Sequence, residues 1–527
     1  MTWPFERCGR AVARPVFFAS LIVCAPYVLA QAQGGAPPPD QYFGIYMGGA
    51  RVGYTQTRTV RAEWMAKPAW RMTTSGKFRI NLLGQSLEQD EATDTVTDLR
   101  FQPLHQVFNV TSGGSAIHVT ADYDYATRKI SCAVGRGANA SRKVLSIPPG
   151  ADLAADSDFA TEGKSLKAGQ TQVIWYLEPT TVELDRATAR VTGRTQITDP
   201  ITNQPEVAWK VVTATTLGDM TSIQTADGRL ISQDMSLGPI SISFRAESPP
   251  AGAEKPIASY TPPMDFALAT AVVTNLNIAD PRAITGMQAV ITGLPKTAVI
   301  SDMRQRMNPD GEAFSIRVHA LPLPQHSALN VASNAAGMQR WLEDAAYLDL
   351  GNATIKEIAA RLRHGSTDPA AVATRIRDWV HQKITPDAEI GVPRSAADVL
   401  RNPRGVCRDY ATLFAAVARD AGIPTRLCAG IVYFQGRFYY HAWDECWLGK
   451  WIAVDPTLYN PKHPEAFVDA THIKFAEGDP ENMFAAVQVV GKIGVHITWV
   501  QPAAESVGDG QNRAVSGRKR VATRVTP

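Results

Sequence analysis

A cysteine in the C-terminal half of the chain lies where a thiol could act as a nucleophile. Cys407 is part of GVCRDYATLF, where apolar residues begin to recur at helical spacing. The helix is predicted to end near Gly422 and Pro424, which places Cys407 in its first turn. Unpaired N–H groups and the helix dipole stabilise a thiolate there. A structural cysteine could occupy the same position, whereas a nucleophile needs a base and a group that orients the base.

The segment YYHAWDECWLGKWIAVDPT offers both of these groups. A three-residue loop at 448–450 predicts a β-hairpin whose register sets Trp443 opposite Asp455. Opposed residues share a face, and so do residues two apart on one strand. His441 and Asp455 are therefore expected to be diagonal neighbours, close enough for an imidazole–carboxylate contact. Cys446 has the opposite parity and is expected to point away from them.

Three motifs together resemble the core of the transglutaminase-like superfamily, which has a papain-type fold. They are GVCRDYATLFAAVARDAGIPTR, YYHAWDECWLGKW and AVDPT, and the resemblance covers roughly residues 340–475. It implies that Cys407 is the nucleophile and that His441 is first the base and later the acid. It also implies that Asp455 orients the imidazole.

Two further features of this region leave alternatives open. The backbone N–H of Cys407 is expected to donate to the oxyanion, and Asn402 and Trp379 are alternatives for a second donor. A metal site could be suggested by three neighbouring residues, His463, Asp469 and His472. Their spacing fits no zinc pattern, so neither a metal nor another cofactor is predicted. His472 is instead expected to support the core.

Composition limits the classes of protein that are possible. A chain of 527 residues suggests several domains, and 45% hydrophobic with 20% charged residues is an ordinary globular composition. The 53 basic and 50 acidic side chains argue against a large nucleic-acid surface. Arginines, an apolar run and AQA (30–32) predict a secretory signal peptide. The protein is therefore expected to be exported, periplasmic or secreted, with no transmembrane span after cleavage.

The cysteines that follow the predicted signal peptide are expected to be free thiols. There are four of them in the remaining chain: Cys132, Cys407, Cys428 and Cys446. In the hairpin before residue 447, Cys428 faces Trp443, whereas Cys446 faces Thr425. The two cysteines are thus offset by three residues, too far for good disulfide geometry.

The predicted fold is multidomain. It combines an N-terminal antiparallel β domain (a curved half-barrel or a sandwich), a small β domain and a C-terminal α+β transglutaminase-like domain of papain type. The predicted segments are a signal peptide (1–32), the antiparallel β domain (33–248), a linker (249–263), the small β domain (264–325), the transglutaminase-like core (326–500) and a basic disordered tail (501–527).

The resemblance implies an exported enzyme that transfers acyl groups at amide bonds of peptides or proteins through a thioester on Cys407. Water is favoured over an amine as the acyl acceptor. The protein is therefore expected to be a peptidase or amidase, and a crosslinking enzyme is the less favoured alternative. The expected partner is a peptide or protein substrate, cell-envelope peptides included, and not a nucleic acid. The alternative is a non-enzymatic peptide-binding or envelope assembly module that uses a papain-like core.

Overall fold

The structure is a computed structural model. It describes residues 37, 39–135, 140–155, 166–215, 218–225, 229–251, 254–324, 337–458 and 468–503. The predicted signal peptide (1–32), His463 and most of the predicted tail (504–527) lie outside these residues. Within the described ranges, no helix is long and apolar enough to cross a membrane.

The N-terminal part of the chain forms one large antiparallel sheet. Its strands are β1 (Gln41–Met47), β2 (Ala50–Trp64), β3 (Lys67–Leu82), β4 (Gln85–Thr97), β5 (Pro103–Ser112), β6 (Ser115–Asp124), β7 (Lys129–Val134), β8 (Ser141–Ser146), β9 (Thr171–Glu178), β10 (Glu183–Thr198), β11 (Pro205–Thr215), β12 (Gly218–Thr225), β13 (Leu230–Leu237) and β14 (Ile240–Ala246). These fourteen strands are hydrogen bonded in the order β8-β7-β6-β5-β4-β3-β2-β1-β14-β13-β12-β11-β10-β9. The predicted antiparallel β domain is confirmed, and it is a single sheet and not a sandwich.

Glycine turns set the register of this sheet. The turn at Gly48–Gly49 joins β1 to β2, and the turn at Gly113–Gly114 joins β5 to β6. All four glycines have positive φ, which residues with a Cβ adopt only at a cost. Along the strands, buried and exposed residues alternate, as expected for a sheet with one face on a core.

The remaining elements form the C-terminal body. In chain order they are α1 (Phe266–Thr270), β15 (Val272–Val273), β16 (Ile284–Thr292), β17 (Gln305–Asp310), β18 (Ala313–His319), α2 (Ala353–Arg363), α3 (Pro369–Lys383), β19 (Thr385–Pro386), α4 (Ala396–Arg401), β20 (Arg404–Gly405), α5 (Cys407–Asp420), β21 (Thr425–Phe434), β22 (Arg437–Trp447), β23 (Trp451–Val454), β24 (Ile473–Gly478) and β25 (Gly494–Pro502). One sheet has the strand order β15-β22-β21-β24, and β23 pairs with β22 beside it. A second sheet has the order β17-β18-β16-β25. Strands β19 and β20 form a short parallel pair.

Helix starts in this body follow the predicted capping residues. Pro369 is the first residue of α3, and the side chain of Asp368 accepts the backbone N–H of Ala370 at 3.0 Å. Ser395 caps α4 by accepting the N–H of Asp398. Both caps satisfy N–H groups that have no partner inside the helix.

The predicted small β domain and the predicted core share one hydrophobic core. Strand β25, near the end of the described chain, pairs with β16 about the register Ile291↔Val495. Buried side chains from both segments pack in one cluster, Met287 and Phe414 among them. A few strands cannot bury enough apolar surface alone, so the segment 264–325 gains its core from the C-terminal part.

The N-terminal sheet contacts the loop between β19 and α4. The backbone N–H of Ala388 donates to Gln85 Oε1 at 2.9 Å, and Ser112 Oγ donates to the carbonyl of Glu389 at 3.3 Å. Gly113 lies so close that a Cβ there would be 2.2 Å from the Glu389 carbonyl oxygen. Val392, in the same loop, is buried in the apolar core of the sheet. The sheet therefore packs directly on one of the loops beside the candidate active site.

Candidate active site

Cys407 begins α5, as predicted. The carboxylate of Asp409 accepts the backbone N–H of Val406 at 2.8 Å and so caps the helix start. Arg394 Nε donates to the same carboxylate at 3.1 Å, and both side chains are buried. This ion pair holds the first turn of α5 in place, so the position of the Cys407 thiol depends on it.

The Cys407 helix is central in the C-terminal body. Its apolar spacing suggests one buried face, but every residue from Cys407 to Arg419 is buried. Alanines fill much of the rest of the helix surface, which lets neighbouring elements approach on all sides. The two arginines in this stretch reach backbone carbonyls: Arg408 donates to Val392, and Arg419 donates to Thr425.

The hairpin that carries His441 has the predicted register. Cys428 lies opposite Trp443, and Trp447 lies opposite Trp451 across the three-residue loop. His441 is in β22, and Asp455 follows the last residue of β23. His441 Nε2 and Asp455 Oδ2 are 2.8 Å apart, so the contact expected from the register is present.

Asp455 is a fully buried carboxylate whose two oxygens are both engaged. Oδ1 accepts the backbone N–H groups of Thr457 at 2.7 Å and Leu458 at 3.1 Å. Oδ2 accepts from His441 and, at 3.1 Å, from His472 Nε2. Burial alone would raise the pKa of Asp455, but the two histidines hold it well below its usual range. Asp455 is therefore a fixed negative charge beside the imidazole.

The imidazole of His441 lies between Asp455 and Cys407. Burial lowers the pKa of His441, but the Asp455 carboxylate and the Cys407 sulfur outweigh that effect and raise it to about 10. Because Nε2 faces Asp455, Nδ1 is the nitrogen left for the thiol. The structure thus brings the three predicted side chains together in the order Cys407, His441, Asp455. Their catalytic roles remain predictions.

The three side chains are enclosed. Cys407 and Asp455 are 0% exposed, and His441 is 1% exposed. Trp443 is also fully buried and stacks on His441, with 6.1 Å between ring centroids. Trp443 is therefore part of the packing around the imidazole and does not line an open groove in this conformation. In this conformation the thiol of Cys407 has no exposed surface.

His472 reaches the site although the sequence pattern predicted only a role in the core. It directly precedes β24, which pairs with β21 and not with β22. Both of its ring nitrogens face carboxylates: Nε2 faces Asp455, and Nδ1 lies 3.4 Å from Asp469 Oδ2. Asp469 and His472, weighed as metal ligands in the sequence, are thus joined to Asp455 by these contacts.

Two clusters in the described chain have the composition of metal sites. One is His441, Asp455 and His472. In this cluster the nitrogen and oxygen atoms already hydrogen bond to each other. The other is Asp302, Glu445 and Glu477. Lys474 Nζ lies 2.6 to 2.7 Å from a carboxylate oxygen of each of these three residues and so occupies the position of a cation. The contacts account for both clusters as ion-pair networks, and we assign neither to a metal.

The other three cysteines of the described chain are buried free thiols, as expected. Burial raises the pKa of Cys132 to about 12 and that of Cys428 well above its ordinary value. It also raises the pKa of Cys446, which lies 3.5 Å from Thr425 Oγ1. Deprotonation is therefore disfavoured at these three thiols.

Asn402 and Trp379, considered as oxyanion donors, occupy different helices. Asn402 caps the C-terminus of α4, and its carbonyl oxygen accepts from Arg394 Nη1 at 3.0 Å. Trp379 lies in α3 and packs partly buried against the core. Neither placement assigns the second donor, which stays open between them.

The segment that carries these three side chains matches a known protein family. Residues 356–456 match the model of the transglutaminase-like superfamily, so this part of the chain is a transglutaminase-like domain. The match contains Cys407, His441 and Asp455 and ends before His472.

Individual relatives cover only part of the chain. An uncharacterised protein of Mycobacterium leprae, ML0607, is 32% identical over 127 residues, which are 22% of this chain and 44% of that protein. A protein-glutamine gamma-glutamyltransferase of Pseudomonas aeruginosa is 31% identical over 184 residues, which are 31% of this chain and 26% of that protein. The solved periplasmic domain of TgpA from Pseudomonas aeruginosa, bound to ethylmercury, is 17% identical with a TM-score of 0.26, and the similarity covers 37% of this chain and 91% of that domain. The chain thus spans less than half the length of either curated relative.

Proposed function

We propose that the protein is an exported cysteine-dependent enzyme that cleaves amide bonds of peptides or proteins. The Cys407 thiolate attacks the carbonyl carbon of the amide, and protonated His441 gives its proton to the departing amine. A thioester on Cys407 results. Water then attacks this thioester while His441 takes one of its protons, which releases a carboxylic acid and restores the Cys407 thiolate beside protonated His441. The observation that carries the proposal is the Asp455–His441–Cys407 arrangement at the start of α5.

Water is the acyl acceptor in this proposal. The enclosure of Cys407 and His441 favours it, because water needs far less room than a lysine side chain on a second protein. The alternative acceptor is an amine, as the name of the Pseudomonas aeruginosa relative indicates for that protein. The substrate belongs to the peptides and proteins outside the cytoplasm, since the protein is proposed to act after export.

A non-enzymatic role is the second candidate, and the same enclosure favours it. A binding or assembly module has no need of a substrate path to Cys407, and the thiol is fully buried. Against it stands the ordered His441–Asp455 pair, which a purely structural thiol does not require.

One experiment separates these three possibilities. The full chain is incubated with a peptide digest of cell-envelope proteins in water labelled with heavy oxygen, together with a fluorescent primary amine. Mass spectrometry then follows acyl adducts on Cys407, heavy oxygen in new carboxylates and amine in new amides. We expect adducts and labelled carboxylates, both absent in Cys407→Ser. Amine incorporation exceeding heavy-oxygen incorporation would show a crosslinking enzyme. Peptide binding without adducts would show a binding module.

A further inference from the structure

We propose that His472 is a positioning residue for the triad, a role that rests on the proposed function of Cys407. Its Nε2 and the Nε2 of His441 donate to the same oxygen of Asp455, at 3.1 and 2.8 Å. A carboxylate oxygen has two lone pairs in its plane, and both are used here. Together with the backbone N–H groups on Oδ1, His472 therefore holds Asp455 Oδ2 in its orientation, and it reduces the negative charge that this oxygen offers to His441.

The position of His472 is itself fixed from the four-stranded sheet. Arg304, next to β17, donates to the carbonyl oxygens of His472 at 2.6 Å and Asp469 at 2.5 Å. Arg282, just before β16, pairs with Asp469 Oδ2 at 2.9 Å. The backbone N–H of Thr471 closes the turn on Asp469 Oδ1 at 2.8 Å. A side chain held at this many points is suited to orient another group.

His472 is not placed to replace His441 as the base. Its ring meets the His441 ring edge-on, with 5.6 Å between centroids, and meets Trp443 edge-on at 5.3 Å. Both of its nitrogens face carboxylates, one on Asp455 and one on Asp469. Its effect on the reaction therefore passes through Asp455.

Sharing one oxygen has a consequence with a definite sign. A donor on Asp455 Oδ2 reduces the attraction of that oxygen for His441, so removing His472 makes protonated His441 more stable. Attack of water on the thioester needs neutral His441 as the base, so this step should then require a higher pH. Other charged or titratable groups surround the contact between His441 and Asp455. They are Cys407, Asp444 and Asp469, and the last of these faces Arg282 and Arg304.

The test uses the full chain and p-nitrophenyl acetate as the acyl donor. Nitrophenolate release reports acetylation of Cys407, and the steady rate that follows reports attack of water on the thioester. In His472→Leu we expect the steady rate to fall about 10- to 100-fold, the range for loss of a hydrogen bond to a charged group. We also expect the acid limb of its pH profile to move up by about half a unit to one unit. His472→Gln keeps a donor near the Nε2 position. It should therefore keep most of the steady rate and most of the original position of the acid limb.

Ile473→Ala is the matched control. Ile473 is the fully buried first residue of β24, directly after His472, and its side chain points to the other face of the sheet, so its truncation lowers stability without touching Asp455. We expect a lower melting temperature and an unshifted pH profile. If His472→Leu behaves like Ile473→Ala, or if His472→Gln restores nothing, the role of His472 is only structural. If the unmodified chain and Cys407→Ser release nitrophenolate equally, the proposed function fails instead.

A second readout needs no turnover. With histidine labelled by heavy nitrogen, the His441 imidazole resonance reports its contact with Asp455 directly. His472→Leu should shift this resonance, whereas Ile473→Ala should leave it in place. An unchanged His441 signal in His472→Leu would overturn the shared-oxygen arrangement, whatever the protein acts on.

Discussion

His441→Ala should lower the rate of thioester formation at Cys407 by at least about 10⁴-fold, since loss of a triad histidine removes the group that activates the nucleophile. Asp455→Asn should lower it by a comparable factor, about 10⁴-fold, because an amide can stabilise the wrong imidazole tautomer and cannot stabilise the imidazolium. The measurement is the nitrophenolate burst of the full chain, with circular dichroism to show that each variant is folded.

Cys446→Ser is the control for this pair of variants. Cys446 lies in the same strand as His441, is equally buried and has a thiol whose pKa is raised by burial. It should acylate as the unmodified chain does. A loss of the burst in Cys446→Ser comparable to that in His441→Ala would mean that the wrong thiol has been assigned.

Arg394→Met should destabilise the C-terminal body by about 3–5 kcal/mol, the usual cost of removing one partner of a buried ion pair. Arg394 is 1% exposed in its side chain and Asp409 is 0% exposed. Gly405 shows how closely they pack, since a Cβ there would lie 2.5 Å from Asp409 Oδ2 and 2.8 Å from Arg394 Nη2. Chemical denaturation followed by tryptophan fluorescence measures the change.

Arg401→Met provides the comparison on a neighbouring ion pair. Arg401 pairs with Asp398 three residues earlier in α4, but its side chain is 73% exposed. An exposed pair contributes about 0–1 kcal/mol, so this variant should be close to the unmodified chain. Equal destabilisation by the two substitutions would contradict the account of how the start of α5 is held.

Local patterns were sufficient for the parts of the site that lie close together in sequence. The loop between Trp447 and Trp451 determines the register of its hairpin, and through it the contact of His441 with Asp455. Helix periodicity placed Cys407 in the first turn of α5. Each of these features depends on spacings of a few residues, which a single sequence displays directly.

Contacts between distant segments could not be predicted in the same way. The pairing of β16 with β25 joins residues about two hundred positions apart, and no turn marks it. His472 comes to Asp455 because β24 pairs with β21, so hairpin parity gives no information about it. The enclosure of Cys407 likewise depends on packing between segments far apart in the chain, which single-sequence patterns do not encode.

The proposed reaction depends on a thiolate–imidazolium pair between Cys407 and His441. The most direct measurement is the ultraviolet absorbance of the thiolate at about pH 6, well below the ordinary cysteine pKa of about 8.5. It needs neither a substrate nor access to the enclosed thiol. The full chain is compared with Cys407→Ser and His441→Ala. We expect thiolate absorbance in the unmodified chain and its loss in both variants. The thiolate–imidazolium pair would be contradicted if the unmodified chain absorbed no more than Cys407→Ser. It would also be contradicted if His441→Ala kept the thiolate absorbance of the unmodified chain.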